Sequence, residues 1–167
     1  AREGLEAVRS IRDTNWLRFA GERRICWNNL NISTCIDNNS DGVPDDVIEH
    51  QNRYLAEFST NNFRWRLSPS GVGALDIDDS EVSADDEIYR IHRESNGLYN
   101  QSGTGDDTIY FREIYIEYLA GDQSLASGED ANIMRITSNV QWYDRGKTSD
   151  VTLTTILTDY LGRKNHN

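Results

Sequence analysis

The feature that most constrains the fold is a change in the spacing of apolar residues along the chain. The first twenty residues have the spacing of an α-helix, about 100° per residue. The apolar positions that share one arc of this helix are Ala1, Leu5, Val8, Trp16 and Phe19. From residue 63 onward the spacing changes to two, which is the period of a β-strand. The sequence therefore predicts an N-terminal helix followed by a sheet.

The predicted helix covers residues 1–20, and three residues need separate comment. Ile11 lies at the margin of the apolar arc, and Arg12 projects into it. We therefore expect either an acidic partner for Arg12 or a helix that is only half covered. Gly21 ends the helix at the latest. No Ser, Thr, Asp or Asn precedes the first turn to cap it, which is typical of a helix cut from a longer one.

Residues 25–62 form an Asn-rich, irregular region between the helix and the sheet. Within it, Pro44 opens a segment with helical spacing, which predicts a short second helix. The positions that carry this spacing are Val47, Ile48, Gln51, Leu55 and Phe58.

Residues 63–161 are predicted to form antiparallel strands. The period of two covers residues 63–67, 87–93, 109–118, 133–143 and 151–157, with turns predicted at Asn96-Gly97 and at residues 144–147. We therefore expect an α+β fold. One long N-terminal helix would pack on an antiparallel sheet of about four or five strands, with the irregular loop region between them.

Length and charge limit the class of protein. The 167 residues indicate a single domain, residues 1–167. With 28 acidic residues against 17 basic ones, the formal net charge is −11. This charge repels phosphate backbones, so we expect no nucleic-acid partner. No apolar run of about 18 residues occurs, so the sequence predicts no membrane span within itself.

The two cysteines, Cys26 and Cys35, enclose eight residues. A close pair with no other thiol is typical of one disulfide in an oxidising compartment, and we expect that bond here. Two reduced, buried cysteines in a cytosolic protein are the alternative. A zinc site would need two more ligands, and the three histidines are scattered along the chain.

The sharpest motif for a bound ion is the run DNNSDGVPDD at residues 37–46. Oxygen-bearing side chains at its first, third and fifth positions, followed by a glycine, match the start of a Ca²⁺ loop. The predicted ligands are Asp37, Asn39, Asp41, the Val43 carbonyl, Asp45 and Asp46. Position 12 is Ile48 instead of a glutamate, which disfavours an EF-hand and favours a shorter calcium loop of the kind found in secreted modules. A surface loop built of Asx turns is the alternative, since Asn, Asp and Gly also form ordinary turns.

Sequence motifs for catalysis are missing. No Gly-x-Ser-x-Gly, no His-Glu-x-x-His and no phosphate-binding glycine loop occurs. A carboxylate pair for glycoside hydrolysis stays open, because only its separation in space would reveal it. Residues 76–87 are a second acidic stretch, without a glycine at the turning position, and we expect a solvated loop there. We therefore expect that the chain is not an enzyme.

The two ends of the chain resemble the minor pilins of bacterial type IV pili, in particular those of the pilus-modification kind. Residues 3–17, EGLEAVRSIRDTNWL, are similar to the second half of the long first helix of that family. Three further segments are similar to the closing strands of that family. They are FREIYI at residues 111–116, VQWYDRG at residues 140–146 and VTLTT at residues 151–155. These four segments hold 33 residues, and the cysteine loop, the calcium-like loop and the acidic stretch correspond to the variable middle of the family.

The resemblance implies a pilin-like head at the cell surface whose apolar N-terminal half-helix is missing from this sequence. In the family, a prepilin peptidase removes a short leader, and the apolar half-helix anchors the subunit in the membrane and then in the filament. The expected partners are therefore other pilin subunits, which bind through the N-terminal helix, and membrane contact is expected only through the missing segment.

The implied function is that of a structural minor pilin, which assembles into the filament or at its tip and takes part in adhesion or assembly. A pseudopilin of a type II secretion system would share the fold and is one alternative. A free calcium-binding adhesion ectodomain is another.

Overall fold

The structure is a computed structural model that describes residues 1–21, 26–30, 34–36, 44, 46–77, 82–101, 105–120 and 132–159. Of these residues, 48% lie in strands and 17% in helices. The helices are α1 (Arg2–Arg18) and the single turn α2 (Ala84–Glu87). The strands are β1 (Asn52–Ser59), β2 (Arg64–Pro69), β3 (Arg90–Arg93), β4 (Tyr99–Asn100), β5 (Asp106–Tyr118), β6 (Ile133–Asp144) and β7 (Lys147–Thr158).

The expectation of one long helix on a sheet of four or five strands is wrong. The described residues form an antiparallel sheet of seven strands, and α1 has 17 residues. The two strands that the sequence did not predict are β1 and β4. The five predicted strands correspond to β2, β3, β5, β6 and β7.

The largest difference is β1, which occupies part of the predicted second helix. Leu55 and Phe58 fit a helical spacing, but burial along this segment alternates. Tyr54 and Ala56 are buried under α1, whereas Leu55 faces the opposite side of the sheet with Ser68 of β2. Pairing with β2 and β5 decides the conformation here, since the local spacing is compatible with both structures.

The centre of the sheet is β5, which pairs along one side with β6, and β6 pairs with β7. The other side of β5 is divided between two strands. Residues 52–54 of β1 pair with residues 114–116, and β3 pairs with residues 106–111. Strands β2 and β4 continue the sheet outward from β1 and β3. The sheet is therefore forked on this side. Beyond residue 54, β1 no longer pairs with β5, and the Asn100 side chain of β4 bonds the Phe58 backbone of β1 instead.

The predicted N-terminal helix is confirmed as α1, and it packs across one face of the sheet. Leu5, Ala7, Val8 and Ile11 join strand residues in the main apolar core. Ile11 is therefore central and not marginal, while Trp16 only packs at the edge of this core. A Cβ atom at Gly4 would lie 2.4 Å from the Ser138 hydroxyl oxygen of β6, so glycine permits the helix to approach the sheet closely here.

The opposite face of the sheet is partly covered by the segment between β2 and β3. Leu75 and Ile77 from this segment pack with Tyr89 and with Phe111 of β5 in a second apolar cluster. In the part of the chain described here, no helix combines the length and the hydrophobicity that crossing a lipid bilayer requires.

Candidate functional site

The predicted disulfide is present. Cys26 and Cys35 are bonded, with their Cα atoms 5.9 Å apart, and Cys26 is buried. The two alternatives considered for these residues, reduced thiols and a zinc site, therefore do not apply. The bond closes the loop that follows α1 and ties it to the buried segment 26–30.

Segment 26–30 is held against α1 and β5 by side-chain amides. The Asn15 amide of α1 donates to the carbonyl oxygens of Asn29, at 2.7 Å, and Trp27, at 3.3 Å. The Asn28 amide donates to the Tyr118 hydroxyl of β5 at 2.6 Å. Asn15, Asn28 and Tyr118 are all buried. The start of the cysteine loop is therefore fixed to both the helix and the sheet.

Most of the predicted calcium loop lies outside the described residues. The predicted ligands that lie outside the described residues are Asp37, Asn39, Asp41, Val43 and Asp45. Asp46 is described and exposed, and its carbonyl oxygen accepts a hydrogen bond from the Leu30 N–H at 2.6 Å. Among the residues described, no group of three or more His, Cys, Asp or Glu is placed to hold a metal ion. Calcium binding at this loop stays a prediction.

A charged group that the sequence did not single out as a site lies at the centre of the sheet. The side chain of Arg112 in β5 is 1% exposed. Its Nη1 donates to the Glu3 carboxylate at 2.8 Å, its Nε to the Gln101 amide oxygen at 3.0 Å, and its Nη2 to the Ala56 carbonyl oxygen at 3.0 Å. Burial lowers the pKa of Arg112, and Glu3 opposes this by favouring the charged form.

Gln101 bridges the fork in the sheet. Its amide oxygen accepts from the Ala56 N–H of β1 at 3.0 Å, and its amide nitrogen donates to the carbonyl oxygens of Tyr89, at 2.9 Å, and Arg112, at 2.6 Å. These contacts stand in for the backbone ladder that β1 and β5 lose where they diverge. The side chain of Gln101 is itself buried, so it holds β1 and β5 at a fixed separation.

A buried carboxylate lies on the other face of β5. The Glu113 carboxylate accepts the Leu75 N–H at 2.6 Å and lies 3.5 Å from Nε of Arg53. Burial raises the pKa of Glu113, while the Leu75 N–H and the Arg53 guanidinium oppose the rise. Glu113 thus anchors the segment that covers this face of the sheet.

The second acidic stretch is only partly a solvated loop. Ile77 and Asp86 are buried, and the Asp86 carboxylate accepts the Asp76 N–H at 3.0 Å and the Ser83 hydroxyl. Residues 78–81 lie outside the described part of the chain. Asp86 therefore holds both ends of this stretch together. The acidic composition of the stretch did not indicate this role.

Helix α1 presents a face of mixed charge to solvent. The helix carries four arginines against three acidic residues, while the whole chain carries −11. Arg12, which projects into the apolar arc, is buried; it pairs with Asp13 at 2.8 Å and stacks on the Trp16 ring. Leu17 is 81% exposed near the end of the helix. The exposed side of α1 thus lacks the acidic excess of the chain.

Together these contacts form a network that joins α1 to β1 and β5. The Arg112 guanidinium is enclosed by protein acceptors, which fix the position of α1 and the spacing of the strands. No protein-family model matches the chain, and comparisons with curated proteins and with solved structures found no match. The resemblance to minor pilins therefore rests on residues 3–17, 111–116, 140–146 and 151–155 alone.

Proposed function

We propose that the chain is an extracellular structural subunit, of the minor-pilin kind, that assembles with other subunits into a filament. Its seven-stranded sheet is larger than the resemblance implies, so the proposal does not rest on a match of fold. The observation that carries it is the attachment of the first turn of α1 to the middle of the sheet.

A filament subunit must hold its N-terminal helix in a fixed orientation to its head, because neighbouring subunits contact both. Here Glu3 is paired with the buried Arg112, and Gly4 lies directly against Ser138. The disulfide and the Asn15 contacts hold the chain just after the other end of the helix. These contacts support a rigid joint between helix and head.

The exposed side of α1 also supports assembly through the helix. Two copies of a chain with a net charge of −11 repel each other, and the repulsion is weakest where positive and negative charges alternate. On α1, Arg2, Glu6, Arg9 and Asp13 provide this alternation. Helices from neighbouring subunits can therefore pack side by side with opposite charges facing each other.

Bound calcium is part of the proposal. No Lys or Arg occurs between residues 25 and 52, so the aspartates of residues 37–46 have no basic neighbour in sequence, which favours a cation. Pro44 is buried, and the carbonyl oxygen of Asp46 accepts a hydrogen bond from the Leu30 N–H, so the end of this stretch is anchored to the body of the protein. A calcium ion would bind the aspartates that lie in sequence between the disulfide and that anchor.

The test is to look for the protein in surface filaments. An antiserum raised against this chain would be used on filaments sheared from the cells that produce it, with a strain lacking the gene as the control. We expect the full-length protein in the sheared fraction and antibody label along the filaments or at their tips. Recovery of the protein only as a free secreted species would contradict the proposal and favour the free calcium-binding ectodomain.

A pseudopilin of a type II secretion system is distinguished by the phenotype of the same deletion strain. Loss of the gene would then block export of folded proteins while leaving the surface filaments unchanged. A minor pilin predicts the reverse pattern, with fewer or altered filaments and normal export.

A further inference from the structure

Strand β7 is a long edge strand with few of the devices that usually protect such an edge. It has 12 residues, against about 5–6 for a common strand, and among the described residues it pairs with β6 alone. Its register with β6 runs without a bulge, and the strand contains no proline. Lys147 and Asp150 are its only charged residues. Natural proteins usually shield edges of this kind, so an edge that the described residues leave open indicates a partner strand.

The hairpin turn determines which backbone groups of β7 point outward. Arg145 and Gly146 both have positive φ, 51° and 79°, as in a type I′ turn, so the flanking pair of Asp144 and Lys147 is hydrogen-bonded. Because hydrogen-bonded pairs alternate along an antiparallel ladder, the odd-numbered residues of β7 bond to β6. The outward N–H and C=O groups therefore belong to even-numbered residues, including Asp150, Thr152, Thr154 and Ile156.

Apolar side chains of β7 are also open to solvent. Val151 and Leu153 lie on the side of the sheet that carries α1 and are 45% and 40% exposed. A strand added beside β7 would cover both, because cross-strand neighbours contact each other on the same face of a sheet.

Charge favours a second copy of the chain as the partner. The β6–β7 hairpin carries three basic residues, Arg135, Arg145 and Lys147, against two acidic ones, Asp144 and Asp150. The chain as a whole carries −11. Two copies would repel each other least where the acidic excess is missing, and this hairpin is such a region.

We propose that β7 pairs antiparallel with β7 of a second copy, about a two-fold axis that passes beside Thr152 perpendicular to the sheet. The outward groups of both strands belong to even-numbered residues, so even positions must face even positions. Thr152 then faces Thr152 of the second copy, and Val151 faces Leu153 of the second copy. The two-fold axis repeats the contact between Val151 and Leu153. Asp150 faces Thr154, so no like charges oppose each other. The pairing depends on β7 alone and does not require that the chain form filaments.

Sedimentation equilibrium of the purified chain tests this pairing with three variants. Thr152→Lys places two lysines opposite each other across the axis, and Thr152→Asp does the same with two aspartates. Asn139→Lys is the matched control. Asn139 lies directly opposite Thr152 within the sheet and accepts a hydrogen bond from its hydroxyl, but it is on β6, away from the edge.

We expect a monomer–dimer equilibrium for the unmodified chain, and a dissociation constant raised at least about tenfold in each Thr152 variant, because like charges placed opposite each other across an interface repel strongly. Asn139→Lys should leave the constant within about twofold of its original value, since position 139 faces no residue of the second copy. An equimolar mixture of Thr152→Lys and Thr152→Asp should recover dimers. An unmodified chain that stays monomeric, an equal effect of Asn139→Lys, or a mixture that stays monomeric would each overturn the proposal.

Discussion

The guanidinium of Arg112 lies 2.8 Å from the carboxylate of Glu3, a residue 109 positions earlier in the chain. Glu3 belongs to the first turn of α1, and Arg112 is buried in the central strand β5. The remaining guanidinium contacts, to Gln101 and Ala56, join β5 to the far side of the fork in the sheet. One side chain thus connects the helix with both branches of the sheet.

Removing the carboxylate of Glu3 should therefore destabilise the whole domain. The Glu3 carboxylate is half-exposed, but its partner Arg112 is buried. Glu3→Ala therefore leaves a buried guanidinium without its charged acceptor, and we expect a loss of about 1–2 kcal/mol in the free energy of unfolding. The control is Glu6→Ala, which breaks the half-exposed pair with Arg9 and should cost less than about 0.5 kcal/mol. Urea denaturation measures both values. Equal losses in the two variants would show that Arg112 does not hold α1 in place.

The close approach at Gly4 gives a second prediction. Alanine is the better helix former by about 1 kcal/mol, yet we expect Gly4→Ala to destabilise the protein by about 1–2 kcal/mol, because its Cβ would collide with the Ser138 hydroxyl. This hydroxyl has no hydrogen-bond partner among the described residues.

Ser138→Ala should therefore cost little by itself and should reduce the cost of Gly4→Ala by about 1 kcal/mol. A double-mutant cycle of thermal or urea denaturation measures this coupling. A coupling of zero would mean that α1 does not contact β6 at Gly4.

Glu113 should make stability depend on pH. Its pKa is raised above the ordinary value of 4.5, chiefly by burial, so the folded state holds this proton more tightly than the unfolded chain does. The protonated Glu113 side chain therefore contributes stability that is fully present at pH values below the ordinary pKa. This contribution is lost as the pH rises through the raised pKa.

The stability of Glu113→Gln relative to the original chain should consequently rise between about pH 4 and pH 7. Urea denaturation across this range measures the difference, with Glu6→Gln as the same substitution at a half-exposed site. A Glu113→Gln profile that runs parallel to that of the original chain would rule out this role for Glu113.

The disulfide should stabilise the protein by lowering the conformational entropy of the unfolded state. Cys26 and Cys35 are separated by 9 positions, and closing a loop of this length is worth about 2–3 kcal/mol in chain entropy. We expect the double variant Cys26→Ala with Cys35→Ala to lose this amount in urea denaturation while keeping the far-UV circular dichroism of the sheet. A loss close to zero would mean that the cysteine loop is held by the Asn15 and Asn28 contacts alone.

Calcium should raise the melting temperature. An ion that binds only the folded chain stabilises it by about 2.7 kcal/mol at a hundredfold excess over Kd. Asp41→Ala should abolish the response, whereas Asp76→Ala, in the acidic stretch that lacks a glycine turn, should keep it. Differential scanning calorimetry with added calcium or a chelator measures the shift. Identical melting curves under both conditions would exclude calcium binding.

The parts of the fold that could be predicted from the sequence are long segments in which the spacing of apolar residues is regular. Helix α1 and strands β5, β6 and β7 have 12 or more residues each, and the Arg145-Gly146 turn between the last two is marked by its sequence. Strand β1 could not be predicted, because the spacing of Leu55 and Phe58 also fits a helix and its pairing with β5 is long-range. Strand β4 has two residues, too few to show a period.

The network around Arg112 has a weaker sequence signal. Arg112 shares its parity along β5 with Ile114 and Ile116, which are buried, and this indicates an inward-facing charge. The role of Gln101 depends on the separation of β1 from β5 beyond residue 54, which no local sequence pattern indicates. The disulfide, by contrast, involves the only two cysteines of the chain, so their pairing was predictable.

Photo-cross-linking in the cells that produce the protein tests the central claim, assembly through α1, most directly. A benzophenone side chain would replace Leu17, which is 81% exposed on α1, or Phe63, which is 79% exposed in the turn between β1 and β2. We predict that the full-length protein with the probe at position 17 forms covalent adducts with another filament subunit, and that the probe at position 63 forms few. Adducts at position 63 with none at position 17 would contradict assembly through this helix.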